Sequence, residues 1–389
     1  MSENQRQWWQ DVTFYSIYPL GYCGAPEQND GSGEPVPRIT AITEDLDRIR
    51  ELGFGAIYLG PLFESGSHGY DTHDYFALDR RLGTDDDLAA LVDAAHQRGV
   101  KIVIDGVYNH VGRGFWAFRR LQEEGASSAY RSWFRDVDFS KDNAFGDGFV
   151  YRGWEGVEEL VELNHAEPAV REHLLEAAVH AVERFDVDGI RLDVAYSLPF
   201  DLLDELSSRL RRVKPDAWIL GEVIHGDYAA YLEPGRLDSV TNYECFKGLW
   251  SSFNDRNLHE IGHSLDRLFG DGGLLAEAVS RSQLPYNFAD NHDVNRVAST
   301  LKNQSHLYPL YALLWTMPGV PSVYYGSEYA IEGDKQQGDE QLRPARDEVL
   351  RHADGNGANG LPGFVRELNE VRSGSRVLRD GGYRTISVD

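Results

Sequence analysis

The sequence predicts an α/β fold, a TIM (β/α)8 barrel with a small domain inserted between strand 3 and helix 3. Three observations carry that expectation. Short apolar runs alternate with longer amphipathic segments along almost the whole chain. Eight such runs can be placed, the number that closes a barrel. The period breaks once, after the third run, in a stretch from Val111 to Asn164 that is rich in aromatics, Gly and Asp and too long for an ordinary connection.

Taken in order, Phe14–Tyr18 is the first strand candidate, and Glu44–Leu52 reads as a helix stopped by Gly53. Ala56–Leu59 is the second strand. Asp85–Gln97 is helical, because acidic residues open it and Arg98-Gly99 close it, matching the helix dipole and the glycine stop. Lys101–Asp105 is the third strand, continuously apolar from Ile102 to Ile104 as expected when both faces are covered. After the irregular stretch, Pro168–Phe185 is a helix with proline in its first turn. Gly189–Val194 is strand four, Phe200–Val213 a helix, Trp218–Glu222 strand five and Ser239–Tyr243 a weak sixth. Leu258–Phe269 is a helix, Pro285–Phe288 ends strand seven, His306–Met317 is a helix, Ser322–Tyr325 is strand eight and Gly363–Ser373 is the last helix. An open doubly wound sheet shares this periodicity, but no glycine-rich phosphate loop follows the first strand. The implied boundaries are a first barrel part at 1–110, an inserted domain at 111–164 and a second barrel part at 165–375. Residues 376–389, ending in VLRDGGYRTISVD, read as the first strand of a truncated C-terminal β domain.

The 389 residues carry 38 Lys and Arg against 63 Asp and Glu, a net charge of −25, which repels nucleic acid backbones and anionic membranes and leaves neutral ligands unaffected. No basic stripe supports a nucleic-acid partner. The start, MSENQRQWWQDVTF, has no apolar h-region, and no apolar run approaches the ~18 residues of a spanning helix, so no membrane is expected and cytoplasmic location is the default. Cys23 and Cys245 do not make a disulfide framework. Oligomeric state is not legible.

A barrel places its chemistry at the C-terminal ends of its strands. Strand three ends in Asp105-Gly-Val-Tyr-Asn109-His110, strand four in Arg191-Leu-Asp193, strand five in Glu222, and the loop after strand seven reads Asp290-Asn-His292-Asp293 with Arg296 following. Arg191 and Asp193 are two apart and share one strand face, for which the inward one is the sensible home. Converging carboxylates suit acetal hydrolysis: one acid protonates the leaving oxygen, one carboxylate attacks or positions water, and negative charge stabilises the cationic transition state. Arg191 is expected to lower the pKa of Asp193 and keep it ionised. Other readings stand beside these. Asp105 could cap a turn, Arg191 and Asp193 could form a structural ion pair, and Asn291-His292-Asp293 could suggest a metal, although no HExxH occurs. Tyr18, Tyr70, Phe115, Trp116 and Trp154 lie near the proposed top loops, where aromatics either stack on sugars or anchor loops.

The separated motifs, in this order, resemble the α-amylase superfamily of glycoside hydrolases, and within it the neopullulanase, cyclomaltodextrinase and maltogenic amylase branch. They are Asp105 to His110, Gly189 to Ala195, Gly221-Glu222-Val223 and Asn291-His292-Asp293, supported by His68-Gly-Tyr70-Asp71, Arg81-Leu-Gly-Thr84, Glu162-Leu-Asn164 and Tyr325-Gly-Ser-Glu328. The inserted stretch is where that family carries its domain B. The resemblance implies a retaining hydrolase of α-1,4-linked glucooligosaccharides, with Asp193 as nucleophile, Glu222 as general acid and base, and Asp293 holding sugar hydroxyls. It implies that Arg191 orients Asp193, that His110 and His292 bond hydroxyls, that Tyr70 stacks on the glucose, and that Asp71 and Arg296 pair nearby. Asp193-Val-Ala-Tyr196 departs from the Lys-His pair by which many α-amylases line the positive subsites and help hold calcium. No cofactor is required. Calcium is the one candidate, at Asn109 or in the run Glu27-Gln-Asn29-Asp30-Gly31, whose oxygens suit a hard cation. A glucosyl transferase, a sucrose- or trehalose-active relative and a catalytically silent sugar-binding protein are the competing functions.

Overall fold

A computed structural model describes residues 7–354 and 360–387. Its main sheet has eight parallel strands: β1 (Phe14–Ile17), β2 (Ala56–Leu59), β3 (Lys101–Gly106), β4 (Gly189–Leu192), β5 (Trp218–Gly221), β6 (Ser239–Val240), β7 (Tyr286–Asn287) and β8 (Val320–Tyr324). Each pairs with its neighbour in sequence, and β8 pairs with β1. A single bridge between Thr241 and Tyr286 joins β6 to β7 and closes the barrel. The open doubly wound sheet is thereby excluded. No helix among the described residues is long and apolar enough to cross a membrane.

The strands alternate strictly between two apolar environments. On β2, Ile57 and Leu59 face the helices while Ala56 and Tyr58 point into the barrel, and the same parity puts Val103 and Trp218 inside. The barrel floor is aromatic: Phe14 lies 4.7 Å from Trp218, centroid to centroid, and Trp9 stacks on Trp218 from a short 3-10 turn, Trp8–Gln10, below the strands. One residue pair further up five of the strands the inward side chains turn polar, at Ser16, Tyr58, Asp105, Arg191 and Ser322. That apolar-to-polar gradient along the barrel axis sets chemistry at the strands' C-terminal ends.

The helices begin and end where short-range chemistry dictates. Thr84 caps Asp85–Gln97 through a reciprocal pair with Asp87, and Thr40–Glu51 is followed by Gly53 at φ 93°, a conformation that favours glycine. The irregular stretch after β3 folds around a three-stranded antiparallel sheet, His110–Gly112, Val157–Glu162 and Gly153–Trp154, as the expected insertion. Phe115, Trp116 and Trp133 from this insertion pack around His173 on Pro168–Phe185 and fasten it to the barrel. Phe115 and Trp116 are therefore loop anchors.

The C-terminal expectation needs correction. Arg376–Asp380 is a short helix, capped by Ser375, and no strand occurs among the described residues 381–387; residues 388–389 lie outside the described residues. The sequence VLRDGG fits either state by composition. Ser375, accepting from the Leu378 N–H, tips it to helix.

Candidate active site

Asp193 and Glu222 occupy the first residue beyond β4 and β5, and each prolongs the strand ladder by one rung. The Asp193 N–H donates to Gly106 O at 3.1 Å and the Glu222 N–H to Leu192 O at 2.9 Å. The rigid sheet thus fixes both carboxyl-bearing residues. Arg191 sits among them, 4% exposed. Its Nη1 donates to both oxygens of Asp105 at 2.8 Å and to Asp193 Oδ1 at 3.2 Å, while Nη2 pairs with Glu222 Oε1 at 2.9 Å. Tyr58 donates to Asp105 Oδ2 at 2.9 Å. Asp105 is therefore the buried counterion of Arg191 and not a turn cap.

The other Glu222 oxygen accepts the Val194 N–H at 2.9 Å. Val194 adopts φ 40°, ψ 45°, a left-handed conformation that is strained for a β-branched residue. The strain aims that N–H at Glu222.

Asp293 faces the same space from the loop after β7. His292 Nε2 lies 3.0 Å from Asp293 Oδ2 and also meets the Tyr70 hydroxyl. The Tyr70 ring lies beside the imidazole and nearly parallel to it at 5.5 Å, and the Tyr18 ring is near-parallel to it at 5.9 Å, centroid to centroid. On the insertion side, Trp154 stacks on His110 at 5.3 Å. The His110 Nε2 is buried without a protein partner. These groups surround a cleft of about 540 Å³ lined by Tyr70, His110, Asp193, Glu222, Asp293 and Arg343 among others.

Burial dominates the electrostatics. It pushes the Asp193 carboxyl well above the ordinary carboxylate range. Arg191 opposes the push, but Glu222, Asp105 and Asp293 reinforce it. Arg191 does lower the Asp193 pKa as expected, but burial, reinforced by three neighbouring carboxyls, outweighs it and leaves the net shift upward. Asp293 goes the other way despite its burial: His292, then Arg191 and Arg343, hold it well below the usual range. Burial lowers His110 to about 3, so it is neutral at ordinary pH.

Asp71 and Arg296, expected to pair beside the glucose site, take other partners. Asp71 accepts from Ser67 Oγ at 2.9 Å and from the Gly69 N–H at 3.2 Å, closing the loop that presents Tyr70. Arg296 is fully buried and donates to Tyr325 O, Ser327 Oγ and Leu342 O at 2.6, 3.1 and 2.7 Å. Its guanidinium is thus committed to the loop after β8, not to Asp71. A cation that does reach the cleft beside Asp293 is Arg343, with Nη2 3.8 Å from Asp293 Oδ1 and 2.9 Å from Asp339 Oδ2. Sequence reasoning missed it, because it lies in a long loop with no strand end or motif to flag it. Glu328, in the matched Tyr325-Gly-Ser-Glu328 run, is structural: it accepts from the Tyr15 hydroxyl at 2.6 Å and pairs with Arg48 at 3.3 Å.

The residues suggested for calcium do not fit a hard dication. The Asn29 amide donates to Glu64 Oε1 and Ser65 O, its oxygen accepts from the Gly31 N–H, and Asp30 turns back on Ser32. The loop carbonyls that would ligate a cation already accept from guanidinium groups. Arg80 reaches Gly31 O and Gly33 O, and Arg81 reaches Pro26 O and Glu27 O. At Asn109 the side chain contacts His110 and the backbone oxygen accepts from the Leu163 N–H, and among the described residues no cluster of three or more His, Cys, Asp or Glu could hold a metal.

The family model for the α-amylase catalytic domain matches residues 25–356. A cyclomaltodextrinase from a Bacillus species is 30% identical over 98% of this chain and 69% of its own length. A maltogenic α-amylase from Bacillus acidopullulyticus is 29% identical over 98% of this chain and 65% of its own. The chain thus spans about two-thirds of the length of these curated relatives. Among solved structures, the ligand-free cyclic α-maltosyl-(1→6)-maltose hydrolase of Arthrobacter globiformis superposes with a TM-score of 0.84 at 28% identity, over 99% of this chain and 87% of that one.

Proposed function

The chain belongs to the α-amylase family, and from that membership we propose that it is a retaining glycoside hydrolase cleaving α-1,4-glucosidic bonds in maltooligosaccharides and related α-glucans. The observation that carries the reading is the fork of Arg191, which holds Asp193 and Glu222 on its two terminal nitrogens at one side of the cleft. Carboxyls held side by side fit the ~5–5.5 Å spacing of a retaining pair better than the ~6.5–9.5 Å of an inverting pair with water between.

Asp193 attacks the anomeric carbon while Glu222 delivers a proton to the departing glycosidic oxygen, leaving a glucosyl ester on Asp193. Glu222 then takes a proton from water, whose oxygen displaces the ester and regenerates both carboxyls. The free site holds Asp193 in a proton-retaining environment. A bound sugar that develops positive charge favours the microstate with the charge on Asp193 and the proton on Glu222. Asp293, kept ionised, accepts from sugar hydroxyls, and the unpartnered His110 Nε2 offers a further contact. Tyr70, braced on His292, is the stacking surface, and both reach the same ring.

Transfer to a sugar acceptor is a second reading with its own support. Ile224, 41% exposed, and Tyr196 line the cleft beside Glu222 and give a sugar an apolar surface that water does not need. Time-resolved product analysis with maltotriose tests both: glucose and maltose alone indicate hydrolysis, and elongated products indicate transfer. No product from maltotriose, cyclodextrin, pullulan or starch would refute the proposal.

A further inference from the structure

The five residues Asn295 to Ser299 form a cradle under the segment that follows β8. The Arg296 N–H donates to Gly333 O at 3.0 Å, and the Gly333 N–H donates to Ser299 Oγ at 2.8 Å. The Lys335 N–H donates to Asn295 Oδ1 at 2.9 Å, and Arg296 Nη2 donates to Leu342 O at 2.7 Å. Segment 333–342 has no strand or α-helix, only two short 3-10 turns, so these bonds fix its course. The fit is close. A Cβ on Gly333 would lie 2.4 Å from Gln341 O and 3.0 Å from Arg296 Cγ.

This segment brings Lys335 and Asp339 to the cleft and leads directly into Arg343, which there approaches Asp293. We propose that Arg296 is a positioning residue: it touches no sugar, but it clamps segment 333–342 so that Arg343 meets Asp293 and the glucosyl unit is gripped on that side. The inference rests on the glycoside-hydrolase reading above. A guanidinium is required because its planar fork reaches Tyr325 O, Ser327 Oγ and Leu342 O together, which an ammonium at the end of a flexible stem does not reproduce.

The test compares Arg296→Lys, Ser299→Ala, Arg343→Ala and the double variants with Arg343→Ala. Removing Arg343 should raise KM for maltotriose about tenfold or more, as expected for a lost charged contact. Arg296→Lys should raise KM about tenfold with kcat changed less than about threefold, and should add less than about twofold in the Arg343→Ala background. Ser299 is exposed, so its alanine variant folds even if Arg296→Lys does not, and it should show the same dependence with a smaller rise, about two- to fivefold. Amide exchange of 333–342 should quicken in both cradle variants. Defects that multiply with Arg343→Ala, or an unchanged KM while the segment exchanges faster, would overturn the proposal. A wild type that turns over no α-glucan would instead strike the functional reading, and exchange would still decide whether Arg296 holds the segment.

Discussion

Replacing Arg191 by Met removes the cation shared by Asp105, Asp193 and Glu222 while keeping the length of the side chain. With about 4 Å between charge centres and an effective dielectric of ~20, the attraction between Arg191 and Asp193 is about 4 kcal/mol. That attraction is lost to a carboxyl that burial has already pushed well above the ordinary range. The ionised fraction of Asp193 near pH 7 should fall by up to about 10³, and kcat with it. The acidic limb of the pH–rate profile should move to higher pH, because more base is needed to free the nucleophile. The fold should suffer as well. Breaking a buried ion pair by removing one partner costs about 3–5 kcal/mol, and Asp105, 1% exposed, would be left with the Tyr58 hydroxyl and without its counterion. Arg191→Lys keeps the charge, loses the fork and should fall between. The assays are kcat across pH on maltotriose and thermal unfolding at neutral pH. An Arg191→Met variant that keeps more than about a tenth of wild-type kcat with an unmoved acidic limb would refute the account.

Four further outcomes follow from the same geometry. Glu222→Gln should lower kcat about 10²–10⁴-fold while still binding maltooligosaccharide, as calorimetry would reveal. Stability should respond to pH with opposite signs at two carboxyls. Asp293 has a depressed folded pKa, so its contribution is complete above the unfolded value of ~3.9 and drains as pH falls through the folded one. Asp193 has a raised folded pKa, so its contribution is complete below ~3.9 and is lost as pH rises through the folded value. Asp193→Asn should therefore melt about 2 °C or more above wild type at pH 8 and without that gain near pH 4, and equal melting at both would contradict the assignment. Chelation with EDTA should leave the melting temperature within about 1 °C, since guanidinium groups take the carbonyls of the 26–33 loop. Arg80→Met should melt lower, and added calcium should not restore it.

The barrel was legible because its signal is redundant. Each strand is short and apolar, several helices carry caps, and β3, β4 and β5 end in or just before residues too polar for a helix-covered face. Asp193, Glu222 and Asp293 stand out for that reason, and the structure gathers all three around one cleft. The insertion was legible as a break in period. The partners of polar side chains off the strand ends were not. Arg296 follows a matched motif, yet its guanidinium turns to carbonyls 29 and 46 residues downstream, and no local pattern encodes that choice. Arg343 is invisible for the converse reason, since its place depends on how a loop lies. The net ionisation of Asp193 is not legible because a sequence shows the neighbour two residues away and hides the burial, and then the three carboxyls, that the fold brings. In the C-terminal run, strand and helix propensities nearly balance, and one capping serine decides.

A closed ring is only as strong as its weakest joint. Here that joint is β6 with β7: two residues on each side, one backbone bridge between Thr241 and Tyr286, and an amide link from Asn242 to Asn287. Thr241 also receives the Val223 N–H beside Glu222, whereas Asp293 hangs beyond β7. Parting this joint would pull the proton donor away from the hydroxyl clamp while seven other joints and the surrounding helices stayed intact. On warming, catalysis should fade at a lower temperature than the far-ultraviolet dichroism. Superimposed curves would locate the first failure elsewhere in the ring.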